Sequence, residues 1–165
     1  MKERSINIII KEYQYDELPE ADKALVAAAK ESTKNAYAPF SGFHVGAAIL
    51  LDDGTVVRGA NQENAAFSSG TCAERSACFY AGSNFPDRKM KKIAIAAWTR
   101  HGHNPDDPFD DCFQTKPISP CGSCRQALLE YETIHGPIEV VLYGKEVVYV
   151  FPSVASLLPF CFTEF

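Results

Sequence analysis

The chain predicts an α/β sandwich built on a mixed sheet, and three observations carry that reading. Short apolar or β-branched runs alternate with helical stretches along the sequence, the pattern expected of helices packed on a sheet. The apolar run 45–51 ends at Asp52-Asp53-Gly54 and returns through Thr55-Val56-Val57-Arg58-Gly59, a strong hairpin signal. No internal repeat, low-complexity tract or linker interrupts the 165 residues. They therefore read as one domain, 1–165, long enough to bury a core.

Taken in order, residues 5–15 mix β-branched and aromatic side chains with charges, so 1–15 reads as an N-terminal arm or an edge strand. Leu18-Pro19-Glu20 opens a helix, because proline suits a first turn and acids favour its positive end. Leu18, Ala21, Leu25 and Ala28 then recur at helical spacing, giving one apolar face to about Asn35. Residues 38–42 break it. The hairpin follows, and the polar, irregular segment 61–70 leads into a helix over 72–82.

Residues 92–98, Ile93 and Ile95 among alanines, read as a buried strand. The long 99–119 stretch carries His101, His103, Asp106, Asp107, Asp110 and Asp111. It suits a solvated acidic loop, with a lid or a subunit contact as the functional alternative. A second helix follows over 121–131, then strands at 138–143 and 147–151 around a turn, and a short terminal helix at 153–158.

Composition narrows the function. A net charge of −5 lacks the basic footprint that phosphates require and fits a small neutral or cationic substrate better than nucleic acid. No apolar run approaches the roughly 20 residues that span a bilayer. Ile8-Ile9-Ile10 is too short for a signal peptide, so the expected compartment is the cytoplasm. Six cysteines without a secretory context point to metal or redox chemistry rather than a disulfide framework.

The cysteines fall where that chemistry needs them. Thr71-Cys72-Ala73-Glu74-Arg75 and Pro120-Cys121-Gly122-Ser123-Cys124 both open helices. Unpaired N–H groups and the helix dipole favour thiolates there. Three sulfurs make a zinc site with one position open to water, the mark of a catalytic rather than a structural site. Glu74 lies two residues past Cys72, placed to move that water's proton without being a ligand. Three thiolates leave the centre negative, so a cation must offset them. Arg75 is the first candidate and Arg125 the second, each with an ordinary ion pair as its alternative role. A thioredoxin-like pair of Cys121 and Cys124 leaves Cys72 and Glu74 unexplained.

These motifs resemble the short, three-cysteine, homotetrameric cytidine deaminases. Cys-Ala-Glu at 72–74 and Pro-Cys-Gly-Ser-Cys-Arg-Gln at 120–126 match their zinc motifs. Ala36 to Ala48 resembles their AYxPYSxFxVGAA stretch, Asn61-Gln62-Glu63-Asn64-Ala65 their N-x-E-N-A, and 157–162 their LLPxxF. The likeness spans roughly residues 18–162.

The resemblance implies a three-layer α/β/α sandwich around a mixed five-stranded sheet. It implies one Zn²⁺ per chain on Cys72, Cys121 and Cys124, with Glu74 as the catalytic proton carrier. It also implies zinc-dependent hydrolytic deamination of cytidine and deoxycytidine to uridine and deoxyuridine plus ammonia, in pyrimidine salvage. Asn61 and Glu63 would read the ribose, Phe43 would pack on the pyrimidine, and the Ala73 N–H would meet the base carbonyl. Phe162 would reach a neighbouring subunit's site in a homotetramer.

Phe67 replaces a usual tyrosine, and the 99–119 loop is longer than usual. Cys78, Cys112 and Cys161 match no ligand position. Two other readings stand beside this one. One is a deaminase of a related aminated heterocycle such as blasticidin S, and the other is a non-catalytic zinc module closed by Cys112. Editing of cytosine in nucleic acid is a weaker third, disfavoured by the acidic balance.

Overall fold

A computed structural model describes residues 1–104 and 106–163. Pro105 of the predicted loop and the last two positions of the predicted 1–165 domain lie outside the described residues. The strands are β1 (Lys11–Tyr13), β2 (Phe43–Leu51), β3 (Val56–Ala60), β4 (Met90–Thr99), β5 (Glu139–Tyr143) and β6 (Val148–Phe151). The helices are α1 (Glu20–Ser32), α2 (Ala73–Asn84) and α3 (Gly122–His135).

The sheet has six strands rather than the expected five, in the order β1-β6-β5-β4-β2-β3. The extra strand is the end of the N-terminal arm. Lys11, Glu12 and Tyr13 pair antiparallel with Val150, Tyr149 and Val148, because β6 otherwise leaves a row of unpaired backbone groups at its edge. Among the strands of the described residues, only β4 and β5 run parallel, through the α3 crossover, so the sheet is mixed as expected.

Alternation along the strands sends side chains to two cores. On one face Ala48, Ala94, Ala96 and Val141 meet Leu25, Val26 and Ala29 of α1. On the other, Ala47, Ile49, Ile93, Ile95 and Val140 meet Ala73, Ala77 and Ala81 of α2 and Leu128 of α3. The result is three layers. Gly59 sets the spacing of α2: a Cβ there would lie 2.4 Å from the Ala73 carbonyl oxygen and 2.5 Å from the Ala77 nitrogen. The first turn of α2 therefore rests directly on β3.

The 99–119 stretch is not an open acidic loop throughout. Phe113 is 2% exposed and sits edge-on to Tyr143, while Lys30 of α1 lies 4.9 Å above both rings. Lys30 also pairs with Asp110 at 2.5 Å. Phe109 and Phe113 supply the apolar surface that docks this half of the loop, which its many acids obscure in the sequence.

One buried carboxylate organises the chain after α3. Glu132 accepts N–H bonds from Ile138 (2.9 Å), Val154 (2.7 Å) and Ala155 (3.0 Å). Glu132→Ala should cost about 3–5 kcal/mol, since it strands buried donors and leaves a cavity. Glu132→Gln, which keeps one acceptor oxygen, should cost less. Urea unfolding midpoints test the order, and an unchanged midpoint for the alanine variant would refute the assignment.

Candidate active site

The two cysteine motifs, 49 residues apart, meet at the ends of neighbouring helices. Cys72 is the N-cap of α2 and Cys121 the N-cap of α3, both with extended backbone, and Cys124 follows in the first turn of α3. Their sulfurs lie within 4.8 Å of one another, with Cys72 and Cys121 at 3.9 Å and Cys121 and Cys124 at 3.4 Å. Sulfurs at corners of a tetrahedron around zinc, with bonds of about 2.3 Å, lie roughly 3.8 Å apart. The donor set therefore fits the metal. Cys112 is elsewhere, its thiol bonded to the Pro108 carbonyl at 3.6 Å. Among the described residues, the metal-holding group consists of the three predicted cysteines.

Charge is arranged around the sulfurs as that chemistry requires. The Cys72 pKa is lowered to about 5, chiefly by the hydrogen bond from the Cys124 thiol and then, against burial, by Arg75. The Cys124 thiol is pushed up by the same bond and by its burial. Burial works against the charge of Arg75, yet Cys72 and Cys124 hold its pKa above the ordinary arginine value. Its Nε is buried without a hydrogen-bond partner. Arg125 is committed elsewhere: it donates to the Pro120 carbonyl (2.8 Å), the Leu157 carbonyl (2.7 Å) and Ser119 Oγ (2.8 Å). It staples the C-terminal segment to the turn before Cys121, which leaves Arg75 as the cation on the sulfurs.

Glu74 is 4% exposed, and burial raises its pKa to about 7. A carboxyl group poised there can both take and give a proton near neutrality. It opens onto a cavity of about 600 Å³, lined by Phe40, Ser41, Phe43, Asn61, Glu63 and Cys72 among others. Ile118 and Ser119 also line it. The sequence reading missed both, although their place just ahead of Pro120-Cys121 was a signal.

The remaining predicted residues divide by position. Phe43, Asn61 and Glu63 line the cavity. Asn61 has a second task that the sequence does not announce: Nδ2 donates to the Phe43 carbonyl (2.9 Å) and Oδ1 accepts from the Val45 N–H (2.8 Å). It thereby clamps the start of β2. Glu63 Oε2 accepts from the N–H groups of Phe40 (2.9 Å) and Ser41 (3.3 Å). The Ser41 side chain, then the Phe40 N–H, lowers its pKa, keeping it a carboxylate. Ala73 is fully buried, and its N–H lies in the first turn of α2, where no intrahelical acceptor exists. Phe162 stands outside the cavity of its own chain, 64% exposed, with its carbonyl held by Gln126 Nε2 at 2.8 Å. Phe67 is 97% exposed on the cavity rim.

Comparison with known proteins follows the same residues. Positions 19–138 match the family model described as the cytidine and deoxycytidylate deaminase zinc-binding region. The chain is 38% identical over 140 residues to a cytidine deaminase of Sporosarcina psychrophila, covering 85% of this chain and 90% of that protein. It is 41% identical over 106 residues to one from Halalkalibacterium halodurans, covering 64% and 68% respectively. The crystal structure of a Burkholderia pseudomallei cytidine deaminase superposes with a TM-score of 0.68 at 38% identity, over 84% of this chain and 97% of that one. One from Mycobacterium tuberculosis gives 0.63 at 28% identity, over 86% and 96%.

Proposed function

The chain belongs to the family of cytidine and deoxycytidylate deaminases, and from that premise we propose that it hydrolyses the C4 amino group of cytidine and deoxycytidine to give uridine or deoxyuridine and ammonia. The observation that carries this reading is the grouping of three sulfurs beside a buried carboxylate that is not one of them. The cofactor is zinc, one ion per chain, and when bound it would lower the pKa of a water in its open position.

Cys72, Cys121 and Cys124 hold the ion, and Arg75 offsets their negative charge. Glu74 takes one proton from the attacking water and delivers it to N3 of the pyrimidine, which makes C4 electrophilic towards the hydroxide left behind. It then takes the remaining proton of the new C4 hydroxyl and passes it to the departing amine, leaving the uracil carbonyl and ammonia. The N–H of Ala73 meets the base carbonyl, Phe43 packs on the ring, and Asn61 and Glu63 bind the sugar. Both sugar-binding side chains are oriented by backbone bonds within the pocket wall, so their ordering cost is met before substrate arrives.

In this reading Phe162 of a neighbouring copy closes the cavity in a homotetramer. No helix among the described residues is long and apolar enough to cross a membrane. A cytoplasmic place in pyrimidine salvage suits a free nucleoside substrate. The test is an ultraviolet assay of cytidine, deoxycytidine and blasticidin S, run with and without a chelator. Turnover of the nucleosides that the chelator abolishes supports the reading; turnover of blasticidin S alone overturns it.

Arg75→Ala should keep its zinc and slow the reaction, with the pH optimum moved upward. Without the guanidinium the charge on the sulfurs is uncompensated, so loss of a proton within the cavity becomes harder. The pH–rate profile checks this. An unmoved optimum would remove Arg75 from the charge balance.

A further inference from the structure

The N-terminal arm is the part of the chain that the deaminase reading does not use. Residues 1–12 are exposed throughout, including Ile6 (52%), Ile8 (47%), Ile9 (68%) and Ile10 (45%). The arm runs into β1, which pairs with β6 on one side and forms the edge of the sheet on the other. Consecutive β-branched residues leading into an open edge are a template for another strand. What that strand is can be read from the charges.

Set antiparallel to itself about Asn7, the arm places Lys2 opposite Glu12 of a second copy and Glu3 opposite Lys11. Ile6 then faces Ile8 of the second copy. The two-fold axis repeats each pairing, giving four opposite-charge pairs around a cluster of isoleucines. Neighbouring registers do worse. Centring between Asn7 and Ile8 sets Arg4 against Lys11 and Glu3 against Glu12. Centring on Ile8 keeps only two opposite-charge pairs, Arg4 with Glu12, while Lys11 meets Ser5. Opposite charges across strands stabilise and like charges destabilise, so charge selects the register centred on Asn7.

We propose that residues 2–12 pair with the same residues of a second copy, antiparallel about Asn7, joining two sheets through their β1 edges. The contact is isologous, as a two-fold interface must be. It lies outside the catalytic cavity and goes beyond the proposed deaminase activity, so its failure would leave that activity standing.

Cross-linking and mass measurement of the full-length chain test it. Antiparallel residues directly opposite one another have Cα atoms about 4.5–5.5 Å apart, within the disulfide range of about 4.4–6.8 Å. Under diamide, which oxidises two thiols to a disulfide, Asn7→Cys should form a covalent dimer. Ile9→Cys, whose copies lie four residues apart across the axis, should cross-link no more than wild type.

By analytical ultracentrifugation, Asn7→Pro should lower the mass of the wild-type particle, since proline cannot join the ladder. Glu12→Lys should raise the dissociation constant of the pairing about tenfold, and Lys2→Glu with Glu12→Lys should restore it. Equal cross-linking of the two cysteine variants would overturn the proposal. So would a mass unaffected by Asn7→Pro, or a double swap that fails to rescue.

Discussion

Glu74→Gln should retain one zinc per chain and lose about 10²–10⁴-fold in turnover, the usual worth of a positioned general acid–base. The amide matches the carboxylate in shape, so the packing at this buried position survives. What it loses is the ability to take up and release a proton at the same oxygen. The pKa of Glu74, raised by burial to about 7, is what suits it to both halves of that task. Zinc content measured alongside steady-state rates separates a lost proton carrier from a lost metal. A variant running within about tenfold of wild type would show that another group carries the proton.

The second large effect concerns the metal itself. Cys124→Ala should lose zinc and activity together, because Cys124 is fully buried in the three-sulfur group and no further described cysteine belongs to that group. Two sulfurs cannot replace three. Cys112→Ala should keep both zinc and activity, since that thiol bonds to Pro108. Metal analysis after gel filtration reads the difference directly. X-ray absorption of the zinc-loaded wild type should find three sulfur neighbours and one lighter atom. Four sulfurs, or zinc lost with Cys112, would favour a closed structural site over a catalyst.

Arg75 and Arg125 show how far local sequence carries a role. Both follow a cysteine by one to three positions, and both are candidates for offsetting the thiolates. Arg125 instead reaches Leu157, 32 residues on, a contact that no spacing announces. Asn61 was legible as a polar group near the active helix. Its clamp on Phe43 and Val45 depends on β3 lying beside β2. The 99–119 stretch reads as acidic and solvated until Phe113 is seen against Tyr143 and Lys30.

By itself, the sequence determined the helix starts, the hairpin, the two cysteine motifs and the carboxylate between them. These depend on capping, periodicity and thiolate chemistry, which act within a few residues of chain. Tertiary structure alone decided that a sixth strand closes onto β6, that Arg75 rather than Arg125 meets the sulfurs, and that Glu63 is held by Phe40 and Ser41. Each of those joins segments distant in sequence, and such contacts are set by how the layers pack and bury their polar groups, not by the order of neighbouring residues.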